Sequence, residues 1–179
     1  IDWPLEHVVK CLVFYHPDDP AALRAEQDAL LLEVWQACNK SGHELLLEVI
    51  LPENGPDKDE RHYHTMLEHF YQLGIKPDWW KLPPLSSASW QQITALIERE
   101  DPWSRGILIL GLDAPSDKLR AGFAEAAAHP MIKGFAVGRT IFGQPSRRWM
   151  QGELSDEALI EEVKRNYLTL IGYWREARR

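Results

Sequence analysis

The chain has 179 residues, 45% hydrophobic and 26% charged, enough for one domain (1–179) with a sizeable core. Its formal net charge of −7 argues against a general nucleic-acid-binding surface, and no apolar run reaches the length of a membrane span. Cys11 and Cys38 lack metal-ligand spacing and read as free buried thiols of a cytoplasmic protein. Ile1 is not an initiator residue and no signal peptide precedes it, so the chain reads as a fragment of something longer.

The first predicted strand is Val8–Tyr15, an apolar run interrupted by Lys10, with the look of a strand buried on both faces. His16-Pro17-Asp18-Asp19-Pro20 closes it as a polar loop. Ala21–Lys40 carries Leu23, Leu30, Leu31, Val34, Trp35 and Cys38 at helical spacing, and Gly42 stops it. Glu44–Ile50 is the second strand, and Pro52–Asp59 a polar loop. His62–Leu73 is a helix with Tyr63, Met66, Leu67, Phe70 and Tyr71 on one face. Its histidines His62, His64 and His69 show no zinc spacing and read as surface residues.

Trp79–Leu82 is a short third strand, framed by Pro77-Asp78 before it and Pro83-Pro84 after it. Ser86–Glu100 is a helix opened by serines that can cap it. Gly106–Gly111 is the fourth strand, Ser116–His129 an Ala-rich helix and Lys133–Gly138 the fifth strand. Gln144–Leu154 reads as a loop with at most a helical turn, and Ser155–Arg178 as a long final helix. Five β-α units imply an α/β protein with a parallel sheet. An open doubly wound sheet and a (β/α)8 barrel both fit, but no strand is followed by a Gly-x-Gly-x-x-Gly or Walker A loop.

Ligands of such folds meet the C-terminal ends of the strands. There the chain places Lys10 and His16 with strand one, Glu48 with strand two and Lys81 with strand three. Gly111 follows strand four, and Gly138-Arg139 follows strand five. Two lysines and a glutamate inside apolar strands need either mutual pairing or chemistry. A buried ammonium is costly, and a neutral lysine amine can attack a carbonyl to form a Schiff base. The plainer alternative is that Lys81 pairs with Glu48 or snorkels to solvent. Gly111, Gly138 and Arg139 stand where barrels hold a phosphate, although the glycines could equally serve tight packing.

These residues in this order resemble the class I tagatose-1,6-bisphosphate and sulfofructose-phosphate aldolases. The motifs are Val9-Lys10, Leu47-Glu48, Trp80-Lys81, Leu110-Gly111 and Gly134-Phe135-Ala136-Val137-Gly138-Arg139. From about Trp3 to Trp174 the chain is also similar to the aldolase-like domain fused to the C-terminus of bacterial 5-dehydro-2-deoxygluconokinases, of myo-inositol catabolism. The resemblance implies a (β/α)8 TIM barrel, of which this chain holds the C-terminal five β-α units. It implies a Schiff-base lyase without cofactor or metal, with Lys81 as nucleophile, Glu48 as acid/base and Lys10 beside them. The phosphate would meet Gly111, Gly138 and Arg139, with His16 nearby. The implied substrate is 2-deoxy-5-keto-D-gluconate 6-phosphate, a phosphorylated keto-sugar acid, cleaved to dihydroxyacetone phosphate and malonate semialdehyde. The implied partners are a fused or associated sugar kinase and further copies of the chain in a homo-oligomer, with no nucleic acid and no membrane. The relatives' Ser-Ala-Gly turn is Gly111-Leu112-Asp113 here, a departure at the phosphate end. Two other readings stand beside this one: a non-catalytic phosphosugar-binding domain, and a metal-dependent aldolase using His16, Asp18 and Asp19.

Overall fold

A computed structural model describes residues 3–179. Five strands alternate with helices: β1 (Val9–Phe14), α1 (Ala21–Ser41), β2 (Leu45–Ile50), α2 (Arg61–Gln72), β3 (Trp79–Leu82) and α3 (Ser87–Glu100). Beyond α3 come β4 (Gly106–Ile109), α4 (Ser116–Ala126), β5 (Ile132–Phe135), α5 (Arg139–Met150) and α6 (Asp156–Ala177). The strands form one parallel sheet in the order β1-β2-β3-β4-β5, so each strand lies beside its neighbour in sequence. A doubly wound sheet would reverse direction at some point. This one does not, and its crossovers put the helices on one face. The result is an α/β fold of the partial (β/α)-barrel kind, with β1 and β5 as the edges.

Side-chain alternation divides the sheet into two chemically different faces. Val13, Tyr15, Leu47, Val49, Trp80, Leu82, Ile107 and Ile109 point to the helices and are buried. They meet Tyr63, Met66, Leu67 and Phe70 of α2, then Trp90, Ile93, Leu96 and Ile97 of α3, and Leu119 and Phe123 of α4. Trp80 is fully buried, and its Nε1 donates to the Tyr71 hydroxyl at 2.9 Å. That bond removes the penalty of a buried indole N–H.

The opposite face carries Lys10, Leu12 and Phe14 of β1, Glu48 and Ile50 of β2, and Lys81 of β3. Among the described residues no helix covers β1 there: Leu12 and Phe14 are exposed. The expectation that β1 is buried on both faces is therefore corrected; its burial alternates. Helix α1 differs from expectation for a related reason. It lies over the edge strand, and only Leu31 and Cys38 of its apolar residues are fully buried, while Leu23 and Leu30 face solvent.

The Gln144–Leu154 segment is also corrected. Helix α5 runs from Arg139 through Pro145 to Met150. A proline inside a helix removes the N–H that would bond the carbonyl four residues earlier. Here that carbonyl belongs to Ile141, and Asn166 Nδ2 of α6 donates to it at 2.8 Å. The neighbouring helix supplies the bond that Pro145 cannot, which is why the proline is tolerated.

Candidate functional site

The strand register brings three charged side chains together. Glu48 pairs with Lys81 across β2 and β3, and Leu12 pairs with Glu48 across β1 and β2. Lys10 lies two residues before Leu12, on the same face. Lys81 Nζ lies 3.0 Å from Glu48 Oε1, and Lys10 Nζ lies 2.6 Å from Glu48 Oε2. The Glu48 side chain is 6% exposed, Lys81 16% and Lys10 47%. The Lys10 contact is an ion pair without hydrogen-bond angles, which leaves the buried Oε2 a hydrogen bond short. Two cations around one carboxylate give the group a net positive charge. The arrangement therefore has a proton acceptor and an amine in contact, on a face that solvent reaches.

A cleft of about 920 Å³ lies at the C-terminal ends of the strands. Its walls include Phe14, Ile50, Tyr63, Pro83, Asp113 and Arg139. Lys81 and Glu48 do not line this cleft. They sit below it: Ile50 is two residues beyond Glu48 on the same face, a rise of about 7 Å. The N-terminus of α5 borders the cleft through Arg139. No side chain caps this helix, and no hydrogen bond takes up the N–H of Arg139 or Thr140 among the described residues. Such N–H groups suit an anion.

The glycines at this end serve packing as well. A Cβ on Gly111 would stand 2.7 Å from Val137 Cγ1, and one on Gly138 would stand 3.1 Å from Phe142 Cε1. Gly138 has a φ of −117°, which needs no glycine. Just after Gly111, Leu112 and Asp113 adopt left-handed φ values of 46° and 61°. For a leucine this conformation is unfavourable. Strained backbone of this sort gathers at functional sites. Sequence reading marked Gly111-Leu112-Asp113 as a departure from the relatives' turn but not its backbone conformation, because nothing in the identity of Leu112 favours a positive φ.

His16 is placed differently from the other candidates. It is fully buried behind the end of β1, with its ring 4.5 Å from that of His62. Its Nδ1 accepts from the Asp18 N–H at 3.1 Å, so the ring proton sits on Nε2. Nε2 faces Asp57 Oδ1 at 3.7 Å and has no hydrogen-bond partner among the described residues. His16, Asp18 and His62 offer donor atoms within 4.8 Å of one another. However, His16 Nδ1 is taken by the Asp18 N–H and His62 Nε2 by Asp57 Oδ1 at 2.6 Å, which suits a hydrogen-bonded loop better than a metal. Asp19 is engaged elsewhere, since its Oδ2 accepts from the His16 N–H at 3.1 Å. The Asp59 N–H, and after it His62, hold the Asp57 carboxyl below its ordinary range.

The helix histidines are half-buried rather than surface residues. His69 Nε2 contacts Asp28 Oδ2 of α1 at 2.8 Å, and the His69 ring lies 5.9 Å from Tyr15. Burial first, and then Asp28, push the Tyr15 hydroxyl up to about 12. Cys11 and Cys38 are free thiols; Cys38 is buried as expected but Cys11, on the edge strand, is only half-buried, and burial raises both above the ordinary range.

Singly wound parallel strands with a Lys–Glu–Lys cluster on their open face define a barrel-type α/β protein with an ionic site beneath its strand ends. Within that class the chain belongs to the bacterial family described as "Uncharacterized protein conserved in bacteria (DUF2090)", which matches residues 1–178. No curated protein matches the chain. Among the described residues, no helix is long and apolar enough to cross a membrane.

Proposed function

We propose that this protein is a Schiff-base aldolase, or the part of one that carries the reacting lysine. The observation that supports the reading most is the contact of Lys81 with Glu48, flanked by Lys10, on the uncovered face. In the free protein Glu48 holds the lysine as an ion pair. For attack, Lys81 gives up a proton to Glu48 or to solvent, and the amine adds to the keto carbon. The proton taken from Lys81 passes to the carbinol hydroxyl, which leaves as water, so an iminium forms and Glu48 is again a carboxylate. The hydroxyl on the carbon β to the iminium then loses its proton to Glu48, and the bond between the α and β carbons breaks. Its electrons pass into an enamine and the β carbon leaves as an aldehyde. Protonation of the α carbon and hydrolysis of the resulting iminium regenerate Lys81. Lys10 stays close enough to hold substrate oxygens.

The proposed substrate is a phosphorylated keto-sugar acid, 2-deoxy-5-keto-D-gluconate 6-phosphate. Its products are dihydroxyacetone phosphate and malonate semialdehyde, as in myo-inositol catabolism. The phosphate would lie in the cleft by Gly138, Arg139 and the free N–H groups of α5, with the keto carbon one layer below at Lys81. A cytoplasmic location, a fused or associated sugar kinase and a homo-oligomer belong to the same proposal.

The test is reductive trapping. Borohydride in the presence of dihydroxyacetone phosphate should add the mass of the reduced ligand to the peptide carrying Lys81. Lys81→Arg should abolish labelling and cleavage while the protein stays folded. Cleavage that survives in Lys81→Arg refutes the mechanism. Saturable phosphosugar binding without labelling in wild type identifies a binding domain instead.

A further inference from the structure

We propose that a second anion site lies on the outer side of α5, adjoining the strand-end cleft, and takes a small phosphorylated metabolite. A pocket of about 570 Å³ opens between the Asp113–Ser116 loop, α5 and α6. Arg139 and Arg147 both line it. Neither has a carboxylate within ion-pair distance or a hydrogen-bond acceptor among the described residues. The contrast is with Arg148, one residue on, which Glu153 and Glu162 hold at 3.3 and 3.0 Å.

Two of the neutral side-chain donors on the wall are already used. Thr140 Oγ1 donates to Ala114 O at 3.0 Å, and Asn166 Nδ2 donates to Ile141 O. Ser116 and Gln144 remain without a partner on the same wall among the described residues, and the two guanidiniums are the charged donors that a ligand would meet. Asp113 is the acceptor on the same wall. A Cβ at Gly143 would lie 3.7 Å from Arg147 Nη1 and 3.9 Å from Asp113 Oδ1, so the missing side chain keeps the space between them clear. Paired guanidiniums suit a phosphate dianion, and a single carboxylate beside them suits a neighbouring hydroxyl. In a chain of net charge −7, such a surplus of unpaired positive charge around a cavity is a local exception.

Arg139 lines both this pocket and the strand-end cleft. A ligand that draws its guanidinium outward removes it from the cleft, so the two sites oppose each other reciprocally. That coupling rests on the proposed phosphate site in the cleft; the outer site does not.

Inorganic pyrophosphate and glycerol 3-phosphate are the probes, titrated into the full chain by calorimetry and followed by phosphorus NMR. Arg147→Ala, checked for folding by circular dichroism, should weaken binding by about tenfold or more, the loss expected of a charge-assisted contact. Lys81→Met should leave this affinity unchanged, so failure of the aldolase reading leaves the site standing. Two results overturn the proposal: no saturable binding at millimolar probe, or equal affinity in wild type and Arg147→Ala.

Discussion

Replacing Glu48 with Gln keeps the shape of the side chain and removes the charge between two lysines. Its cost is set by how deeply each contact lies. Breaking a buried ion pair by removing one partner costs about 3–5 kcal/mol, while an exposed pair contributes about 0–1 kcal/mol. The Lys81 contact is near the first case, with side chains 16% and 6% exposed. The Lys10 contact is nearer the second, because Lys10 is 47% exposed and can swing to water. The expected loss is about 3 kcal/mol, nearly all of it from Lys81 left facing Lys10 without a counter-charge. For a domain of this size that is a fall in Tm of about 6–12 °C.

Thermal and urea unfolding, followed by circular dichroism and tryptophan fluorescence, measure it. Lys81→Met in the Glu48→Gln background should recover most of the loss, because the stranded ammonium is gone. Lys10→Met in the wild-type background should cost about 1 kcal/mol or less. A Glu48→Gln protein that melts within about 2 °C of wild type would refute the assignment of the pair as buried. So would a double variant no more stable than the single one.

The packing and capping contacts give three further expected outcomes. Tyr71→Phe should destabilise by about 1–3 kcal/mol, since it leaves the buried Trp80 N–H unpaired; unchanged urea unfolding would count against that bond. Asn166→Leu should cost about 1–3 kcal/mol and loosen α5 in hydrogen exchange, because Ile141 O then has no donor to replace the one Pro145 lacks; unchanged protection of α5 is the contrary result. Glu60 accepts from the Ser86 N–H at 2.9 Å and from its hydroxyl, and these bonds, the hydroxyl's first, hold its carboxyl below the ordinary range. A lowered folded value contributes stability that is present above the unfolded value, about 4.3, and is lost as pH falls through the folded one. The stability gap between wild type and Glu60→Gln should thus be full at neutral pH and close in acid; a gap independent of pH would remove the carboxylate from the explanation.

Hydrophobic period and turn residues made much of this fold legible. Trp79–Leu82 between its prolines is β3 to the residue, and the apolar runs placed Lys10, Glu48 and Lys81 on strands that prove adjacent. Elements whose identity depends on a distant partner were not legible. Helix α5 was hidden because Gly143 and Pro145 break helices locally, and Asn166 comes from another helix to repair the break. The burial of His16 was hidden too, because it depends on how the Asp57–His62 segment folds back over the end of β1. Leu23 and Leu30 carry a helical period but face solvent, since burial depends on what lies beside α1 and not on the period alone.

The charged cluster and the sheet register constrain each other. A strand that slips by one residue turns every side chain to the opposite face. In β1 such a slip would turn Lys10 toward the helices and expel Val13 and Tyr15, which are buried there. An ammonium without a partner in that layer would cost several kcal/mol. Glu48 therefore stabilises one register of β1 and β3 at once, because only that register brings both lysines to it. The same parity explains the exposure of Leu12 and Phe14. They share the face of Lys10, and a layer covering them would also cover the approach to Lys81. A solvent-reached Lys10 and a fully buried β1 are incompatible in this sheet, and Lys10 is 47% exposed.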